Sequence, residues 1–456
     1  MYREIEKYLS EWKESKHRKP LILRGARQVG KTYSVDKFAQ ENFSDYLKIN
    51  IEQEQELHSI FTSRKPEVIL NELSLIYNFT FREGECLLFI DEIQSCPEAI
   101  VSLGYFYKQN PDLHIIAAGS LLDHSLNEMS YSMPVGRVEF AYMYPMNFFE
   151  FLMANNKQGY VDYIKKYQIG EAISDALHKK ISEYLRTYFF IGGMPEAVNY
   201  YVTENDLSGI EKYHANLISS IEYDFSKYGT RKEQEYLRDI LRYTANNIGK
   251  KVKYTHVNRH AQSKHLKEAF LKLEMSRIIH LVRHTKASEV PLKQLENQDV
   301  FKPVFMDIGL LNHIAGIKLI GLDELVTAFE GSIAEQFALQ EIISSAPPYQ
   351  EQKLNYWLRE AKNSNAEIDC LLQIKNQVIP LEIKAGKTGS LKSLHVFLAE
   401  KNKKTGIRLN MDTPTWGKDL KAKVNLKKKT EFHYNLISLP LYFAVQIQAL
   451  KTERIF

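Results

Sequence analysis

The string Gly25-Ala-Arg-Gln-Val-Gly-Lys-Thr32 has the spacing G-x-x-x-x-G-K-T, the pattern of a loop that cradles phosphates. Backbone N–H groups of such a glycine turn, together with those of a following helix N-terminus, surround phosphate oxygens. Lys31 would neutralise the β- and γ-phosphates, and the Thr32 hydroxyl would ligate magnesium. Sixty residues after Lys31, the run Leu87-Leu-Phe-Ile-Asp-Glu92 ends in two carboxylates. Asp91 is placed to hold a magnesium shell and Glu92 to take a proton from an attacking water. Two carboxylates at the end of a buried run need a partner cation. The implied cofactors are ATP and Mg2+, contacted by Gly25, Ala26, Arg27, Gln28, Val29, Gly30, Lys31, Thr32 and Asp91.

Two further residues fit this chemistry. Ser120 ends the next apolar run, where a polar side chain at a strand's C-terminal edge can sense the γ-phosphate; a plain turn serine fits equally. Arg137, in Pro-Val-Gly-Arg-Val, has the charge for an arginine finger, although a surface arginine after a glycine is commonplace.

A second constellation lies near the C-terminus. Residues Asn365 to Lys384 read as a hairpin in which alternation puts Ile379, Leu381 and Ile383 on one face, Glu382 with Lys384 on the other, and Glu367 with Asp369 on a shared face. An Asp followed thirteen residues later by Glu-x-Lys resembles the arrangement of the PD-(D/E)XK nucleases. That resemblance implies Asp369 and Glu382 as magnesium ligands and Lys384 as the group that orients or activates the hydrolytic water. Glu335, on the preceding helix, would be the extra carboxylate. Metal ions in such a set offset charge on the attacking and leaving oxygens. A hairpin whose charges merely face solvent fits the same pattern.

The elements that must position these residues follow from the apolar runs. Leu21-Ile-Leu suits a buried parallel strand, and a helix from Lys31 to about Asn42 follows. Runs at Tyr46 to Ile51, Leu87 to Ile90 and His114 to Ala118 continue the rhythm of a parallel α/β sheet. Beyond residue 140 the chain turns aromatic and helical, broken by Gly192-Gly-Met-Pro195, which suggests a helical lid. Residues 236 to 283 read helix, helix, helix and strand, with Gln262 to Leu273 as the third helix and Arg277 to Arg283 as the strand, the order of a winged helix. That third helix carries Lys264, His265, Lys267 and Lys272, available to a groove or to phosphates; a lid or a protein contact is the other use of such a unit. His256, His260 and His265 are expected to be solvated rather than metal ligands. The tail Leu436 to Leu450 is apolar, too short to span a bilayer, and expected to pack on the body.

At 456 residues the chain implies several domains, and no run of roughly 20 apolar residues marks a membrane span. The N-terminus alternates charged and apolar residues like a surface helix, unlike a secretory signal. Cys86, Cys96 and Cys370 are too few for a disulfide framework, so reduced thiols and a cytoplasmic location are expected. Net charge is +4, yet Lys384 to Lys429 holds 13 basic and 3 acidic residues, a distribution that suits a polyanion or a solvated face.

The ordered string Pro20 to Thr32, Asp91-Glu-Ile-Gln94, Gly119-Ser120, Gly136-Arg137, Gly192-Gly-Met-Pro195, Asp307-Ile-Gly-Leu310, Glu330-Gly331 with Glu335, and Glu367-Ile-Asp369 with Glu382-Ile-Lys384 resembles the prokaryotic AAA-plus ATPases that carry a restriction-endonuclease-like C-terminal domain. The resemblance spans nearly the whole chain. It implies an α/β fold: a P-loop AAA-plus parallel sheet (1–145) with a helical lid (146–215), then a winged helix (216–320) and an α/β restriction-endonuclease-like domain with its tail (321–456). It also supports Glu92, Ser120 and Arg137 in their roles and makes self-association an expectation. Gly192-Gly-Met-Pro195 is similar to the element that signalling ATPases place near the adenine, and Gln336 departs from an Asn that many relatives carry. The functions that fit are an ATPase that acts on DNA or RNA, with or without metal-dependent cleavage, and an ATP-dependent switch or scaffold for a protein partner with an inactive nuclease-like domain.

Overall fold

The computed structural model describes residues 1–120, 122, 133–317, 322–360, 366–384, 390–426 and 429–450. The chain forms two compact units. One comprises Met1–Pro145 with Lys272–Ile278 and Ala346–Glu351; the other comprises Met146–Leu271, Ile279–Ser345 and Gln352–Phe456.

The first unit is built on five strands: β1 (Leu21–Arg24), β2 (Asp45–Asn50), β3 (Cys86–Asp91), β4 (His114–Gly119) and β5 (Glu139–Tyr142). Their order is β2-β3-β4-β1-β5 and every pairing is parallel. β3 and β4 are buried at every position, which explains their unbroken apolar runs: a parallel sheet covered on both faces offers no solvent side on which residues could alternate. The helices are α1 (Ile5–Glu14), α2 (Lys31–Asn42), α3 (Pro66–Tyr77) and α4 (Pro97–Gln109). Pro66 and Pro97 start α3 and α4, where the missing N–H costs nothing. Register places Arg24 beside Gly119 and Ile90 beside Ala117, so the C-terminal ends of β1, β3 and β4 open on one edge of the sheet.

The second unit begins with helices α5 (Phe148–Ala154), α6 (Gln158–Lys166), α7 (Asp175–Ile191), α8 (Pro195–Glu204), α9 (Ile210–Asp224) and α10 (Arg231–Asn246). A short turn of helix at Tyr254–Val257 leads to α11 (Ser263–Met275), whose residues to Leu271 belong here. Then come β6 (Ile279–Thr285), β7 (Glu296–Phe305), α12 (Ile308–Ile314), α13 (Leu322–Ser344), β8 (Asn355–Leu358), β9 (Glu367–Ile374) and β10 (Gln377–Ile383). The unit ends with α14 (Lys392–Glu400), β11 (Thr405–Asn410), β12 (Thr415–Asn425), β13 (Lys429–Pro440) and a 3-10 segment, Leu441–Ala449.

Its strands form one mixed sheet in the order β12-β13-β11-β10-β9-β8-β6-β7. Three features depart from the sequence reading. The pair β6–β7 is no free wing, because β6 pairs with β8 and belongs to the same sheet as the C-terminal strands. β10 is buried from Val378 to Ile383, so its residues do not alternate between core and solvent. α14 packs on one face through Leu394, Phe397 and Leu398, while α13 and the 3-10 segment lie on other parts of the sheet, leaving β10 no wet side. The apolar tail does pack on the body, but its first five residues, Leu436 to Pro440, belong to β13, a strand between β11 and β12. Among the described residues no helix is long and apolar enough to cross a membrane, and all three cysteines are buried and free.

A buried polar network ties the helices together. Glu341 on α13 is fully buried and accepts the Phe148 N–H at the start of α5 (2.8 Å) and the Tyr188 hydroxyl (3.0 Å). Asp307 accepts the N–H of Gly193 (2.5 Å) and of Leu310 (2.9 Å), so the Gly192-Gly193 turn is held by the cap of α12. Burial pushes the Asp307 carboxyl up to about 6 against those hydrogen bonds. Gln336, the departure noted above, uses its amide like a strand: it accepts the Phe305 N–H (3.0 Å) and donates to the Phe305 carbonyl (2.7 Å).

Replacing Glu341 by Ala leaves the Phe148 N–H and the Tyr188 hydroxyl without this acceptor, and should destabilise the second unit by about 2–4 kcal/mol. Urea denaturation in a Trp12→Phe background, where fluorescence reports only Trp357 and Trp416, measures it. Glu341→Gln, which keeps an acceptor, should lose less.

Candidate functional site

The loop Gly25–Thr32 leaves the end of β1 and turns into α2 through two left-handed residues, Gln28 (φ 62°) and Gly30 (φ 92°). A Cβ at Gly25 would run into the Met143 carbonyl, so glycine is required where the loop leaves the sheet. The loop is braced from behind by Arg3. Its buried guanidinium donates to the Val29 carbonyl (2.6 Å) and the Tyr144 carbonyl (2.7 Å), joining the loop to the segment just after β5. Nothing in the N-terminal pattern distinguishes Arg3 from its charged neighbours, and sequence reasoning missed it.

The reactive side chains converge at the edge formed by β1, β3 and β4. Lys31 is buried and its ammonium donates to the carbonyls of Gly25 (3.0 Å) and Ala26 (2.8 Å). Burial pushes its pKa down to about 8, with Glu92 and Asp91 opposing. The Thr32 hydroxyl donates to Asp91 Oδ2 at 2.8 Å. Asp91 is only 5% exposed; burial raises its pKa, the bonds from Thr32 and the Glu92 N–H lower it, and among the described residues it forms no ion pair. This donor set fits magnesium: a hydroxyl and a buried carboxylate, side by side, with no ammonium or guanidinium bonded to the carboxylate among the described residues.

Glu92 stands just past β3 in a left-handed conformation (φ 52°). Its Oε2 accepts from Gln94 Nε2 at 2.5 Å and lies 3.5 Å from the Ser120 hydroxyl. The structure thus brings together Lys31, Thr32, Asp91, Glu92 and Ser120, and adds Gln94, which carries no acid–base chemistry of its own. Gln94 Oε1 has no partner among the described residues and lies where a Cβ on Gly119 would stand. Arg137 is elsewhere. Its Cδ packs beside Gly104 of α4, and it makes no hydrogen bond or ion pair to Lys31, Thr32, Asp91 or Glu92.

The C-terminal residues meet in the second unit. Lys384 pairs with Glu382 Oε1 at 2.6 Å, and Asp369 Oδ2 accepts the Ile383 N–H at 2.7 Å. Glu335 pairs instead with Lys302 of β7 (2.9 Å), which also forms an ion pair with Glu367 and lies over the Tyr356 ring (5.1 Å). The lysine side chain is 1% exposed. Burial opposes its charge, but Glu335, Glu367 and Asp369 hold its pKa well above the usual lysine value. Burial and Asp369 raise Glu382, with Lys384 opposing, and burial raises Glu335 against Lys302. Among the described residues no three Asp, Glu, His or Cys side chains are grouped to hold a metal ion. Of the three C-terminal magnesium ligands that the sequence suggested, Glu335 is paired with Lys302 and Glu382 with Lys384, while Asp369 accepts a backbone N–H. His256, His260 and His265 are exposed, as expected.

Residues 17–152 match the family model of the AAA domain. Residues 182–320 match a domain of unknown function (DUF8612), and residues 330–426 match another (DUF4143). No curated protein matches the chain. Similar solved structures include the Aeropyrum pernix ORC2 protein in ADPNP–ADP complexes, at 11% identity over 72% of this chain and 92% of that one, TM-score 0.34. AMPPCP-bound DnaA from Aquifex aeolicus is 16% identical over 58% and 74%, TM-score 0.29. PCH-2 of C. elegans is 12% identical over 44% of this chain, which spans 60% of that protein's length, TM-score 0.27. Likenesses this loose transfer neither activity nor partner. Residues 17–152 are an AAA-type P-loop domain that holds Lys31, Thr32, Asp91 and Glu92, and two domains of unknown function follow it.

Proposed function

We propose that this chain hydrolyses ATP at the loop Gly25–Thr32 and uses the cycle to act on nucleic acid. The observation that carries the ATPase is the 2.8 Å contact between Thr32 and Asp91, with Glu92 adjacent and the buried Lys31 at the loop. Backbone N–H groups at the start of α2 and the Lys31 ammonium bind the phosphates. Magnesium held by Thr32 and Asp91 would supply positive charge against the transferred phosphoryl group. Glu92 takes the proton of the attacking water, and Gln94 fixes the direction of its carboxylate.

Support for nucleic acid comes from the helical segment before β6. Lys250 to Lys267 holds six basic residues and no acidic one. Lys250, Lys251, Lys253, Arg259 and Lys264 are exposed and form no ion pair among the described residues. The basic stretch after Lys384 supports it less: Lys403 pairs with Glu289, Lys423 with Glu431, and Lys418 covers Trp416, while lysines on the edge strand β12 also guard against strand addition. Cleavage is no part of this reading, since Glu335 and Glu367 are paired with Lys302 and Glu382 with Lys384. That same observation favours a second reading, an ATP-dependent switch or scaffold for a protein partner.

Glu92→Gln should bind ATP and lose hydrolysis by about 10²-fold or more, whereas Lys31→Ala should weaken binding itself. Phosphate release and nucleotide titration separate the two, and a Glu92→Gln chain that turns over normally would remove Glu92 as the base.

A phosphate beside Lys31 favours its ammonium, so ATP binding should take up a proton wherever Lys31 is neutral beforehand, above about pH 8. Affinity should fall as pH rises through that value. Calorimetry in buffers of differing ionisation enthalpy should show uptake at about pH 9 and little at about pH 7, and Lys31→Met should show neither change.

Replacing Lys250, Lys251 and Lys264 by Ala should lower the slope of log affinity against log salt for duplex DNA by about 2–3. An unchanged slope would remove this segment as the nucleic acid face. Binding of a protein but not of DNA or RNA would turn the assignment to the second reading.

A further inference from the structure

We propose that Lys302 is the resident cation of the C-terminal carboxylate cluster, occupying the place of a divalent metal and keeping this centre metal-free. This does not rest on the function proposed above. Four elements deliver the cluster: Glu335 from α13, Glu367 and Asp369 from β9, Glu382 from β10, and Lys302 from β7. The lysine reaches it because β6–β7 continues the sheet beyond β8.

The ammonium is enclosed on several sides. It donates to Glu335 Oε1 at 2.9 Å, pairs with Glu367 and faces the Tyr356 ring at 5.1 Å. The second oxygen of Glu335 lies against Gly249, where any Cβ would collide with it, so the far side is closed by backbone. A divalent ion shared with Glu335 would have to sit beside this ammonium, and like charges in a buried site repel strongly. The remaining carboxylates are each engaged through one oxygen: Asp369 Oδ2 accepts the Ile383 N–H, and Glu382 Oε1 pairs with Lys384. The other oxygen of Glu382 is buried without a hydrogen-bond partner, a single acceptor and not a ligand set. Among the described residues no three Asp, Glu, His or Cys side chains are arranged to hold a metal ion, which agrees with this arrangement.

The test is Mn2+ binding, read by electron paramagnetic resonance on the full nucleotide-free chain in an Asp91→Asn background that silences the nucleotide site. With Lys302 present, no bound Mn2+ beyond surface levels is expected. Lys302→Gln should bind Mn2+ at least about tenfold more tightly, and adding Asp369→Asn should abolish the gain. Should Lys302→Gln fail to fold by circular dichroism, Lys302→Gln with Glu367→Gln decides. It removes both halves of an ion pair and leaves Glu335, Asp369 and Glu382 in place. Mn2+ bound by the chain with Lys302 intact, and lost with Asp369→Asn, would overturn the proposal. So would a folded chain lacking Lys302 that gains no Mn2+, since Lys302 would then not be what excludes the metal.

Discussion

Asp91 sits at the end of a strand buried along its whole length, and a carboxylate taken out of water needs a compensating charge or donor. Within its unit it accepts the Thr32 hydroxyl and the Glu92 N–H, and among the described residues it forms no ion pair: Lys31 donates to loop carbonyls instead, and Lys48 acts on it only through space. This unmet demand explains the rest of the first unit. The all-parallel order brings three strand ends to one edge, Arg3 braces the loop, and Gly25 lets the chain pass under Met143. Each of these holds charged or polar groups where a phosphate-bearing, metal-bearing ligand would complete them.

The second unit meets the same constraint from inside. Its carboxylates at Glu335, Glu367 and Glu382 are buried to a comparable or lesser degree, and each has an ammonium within the chain. Glu341 solves the problem a third way, with an N–H and a hydroxyl in place of a cation. Residue types alone do not distinguish these outcomes. An Asp followed by Glu-x-Lys suggests metal chemistry, yet which cation balances the charge depends on what else the fold brings within reach.

Local features were legible in the sequence, and distant ones were not. The helix from Lys31 to Asn42 and the strand ending at Asp91 follow from contiguous patterns: a glycine turn before a helix, an apolar run closed by carboxylates. The hairpin β9–β10 was legible for the same reason, since its two strands are neighbours in sequence. Its burial was not, because the elements that cover it, α14, α13 and the 3-10 segment, lie outside the hairpin's own sequence. Arg3 and Gln94 escaped as functional side chains because their roles lie in geometry: one donates to carbonyls 26 and 141 residues away, the other to a carboxylate two residues back through a turn.

Lys302 had a signal. It interrupts Val300-Phe-Lys-Pro-Val-Phe305, an otherwise apolar run, and a lysine there must either reach solvent or find carboxylates. Choosing between these requires knowing that β7 ends a sheet whose interior strands carry Glu367 and Asp369, a fact set by the pairing of β6 with β8 across more than 70 residues. If β6–β7 stood free as a wing, Lys302 would meet water and the carboxylates would be left to seek an external cation. The continuity of the sheet, reinforced where Gln336 pairs with the Phe305 backbone, fixes which cation the cluster has. The chemistry of the centre thus follows from strand order before it follows from the identity of any ligand.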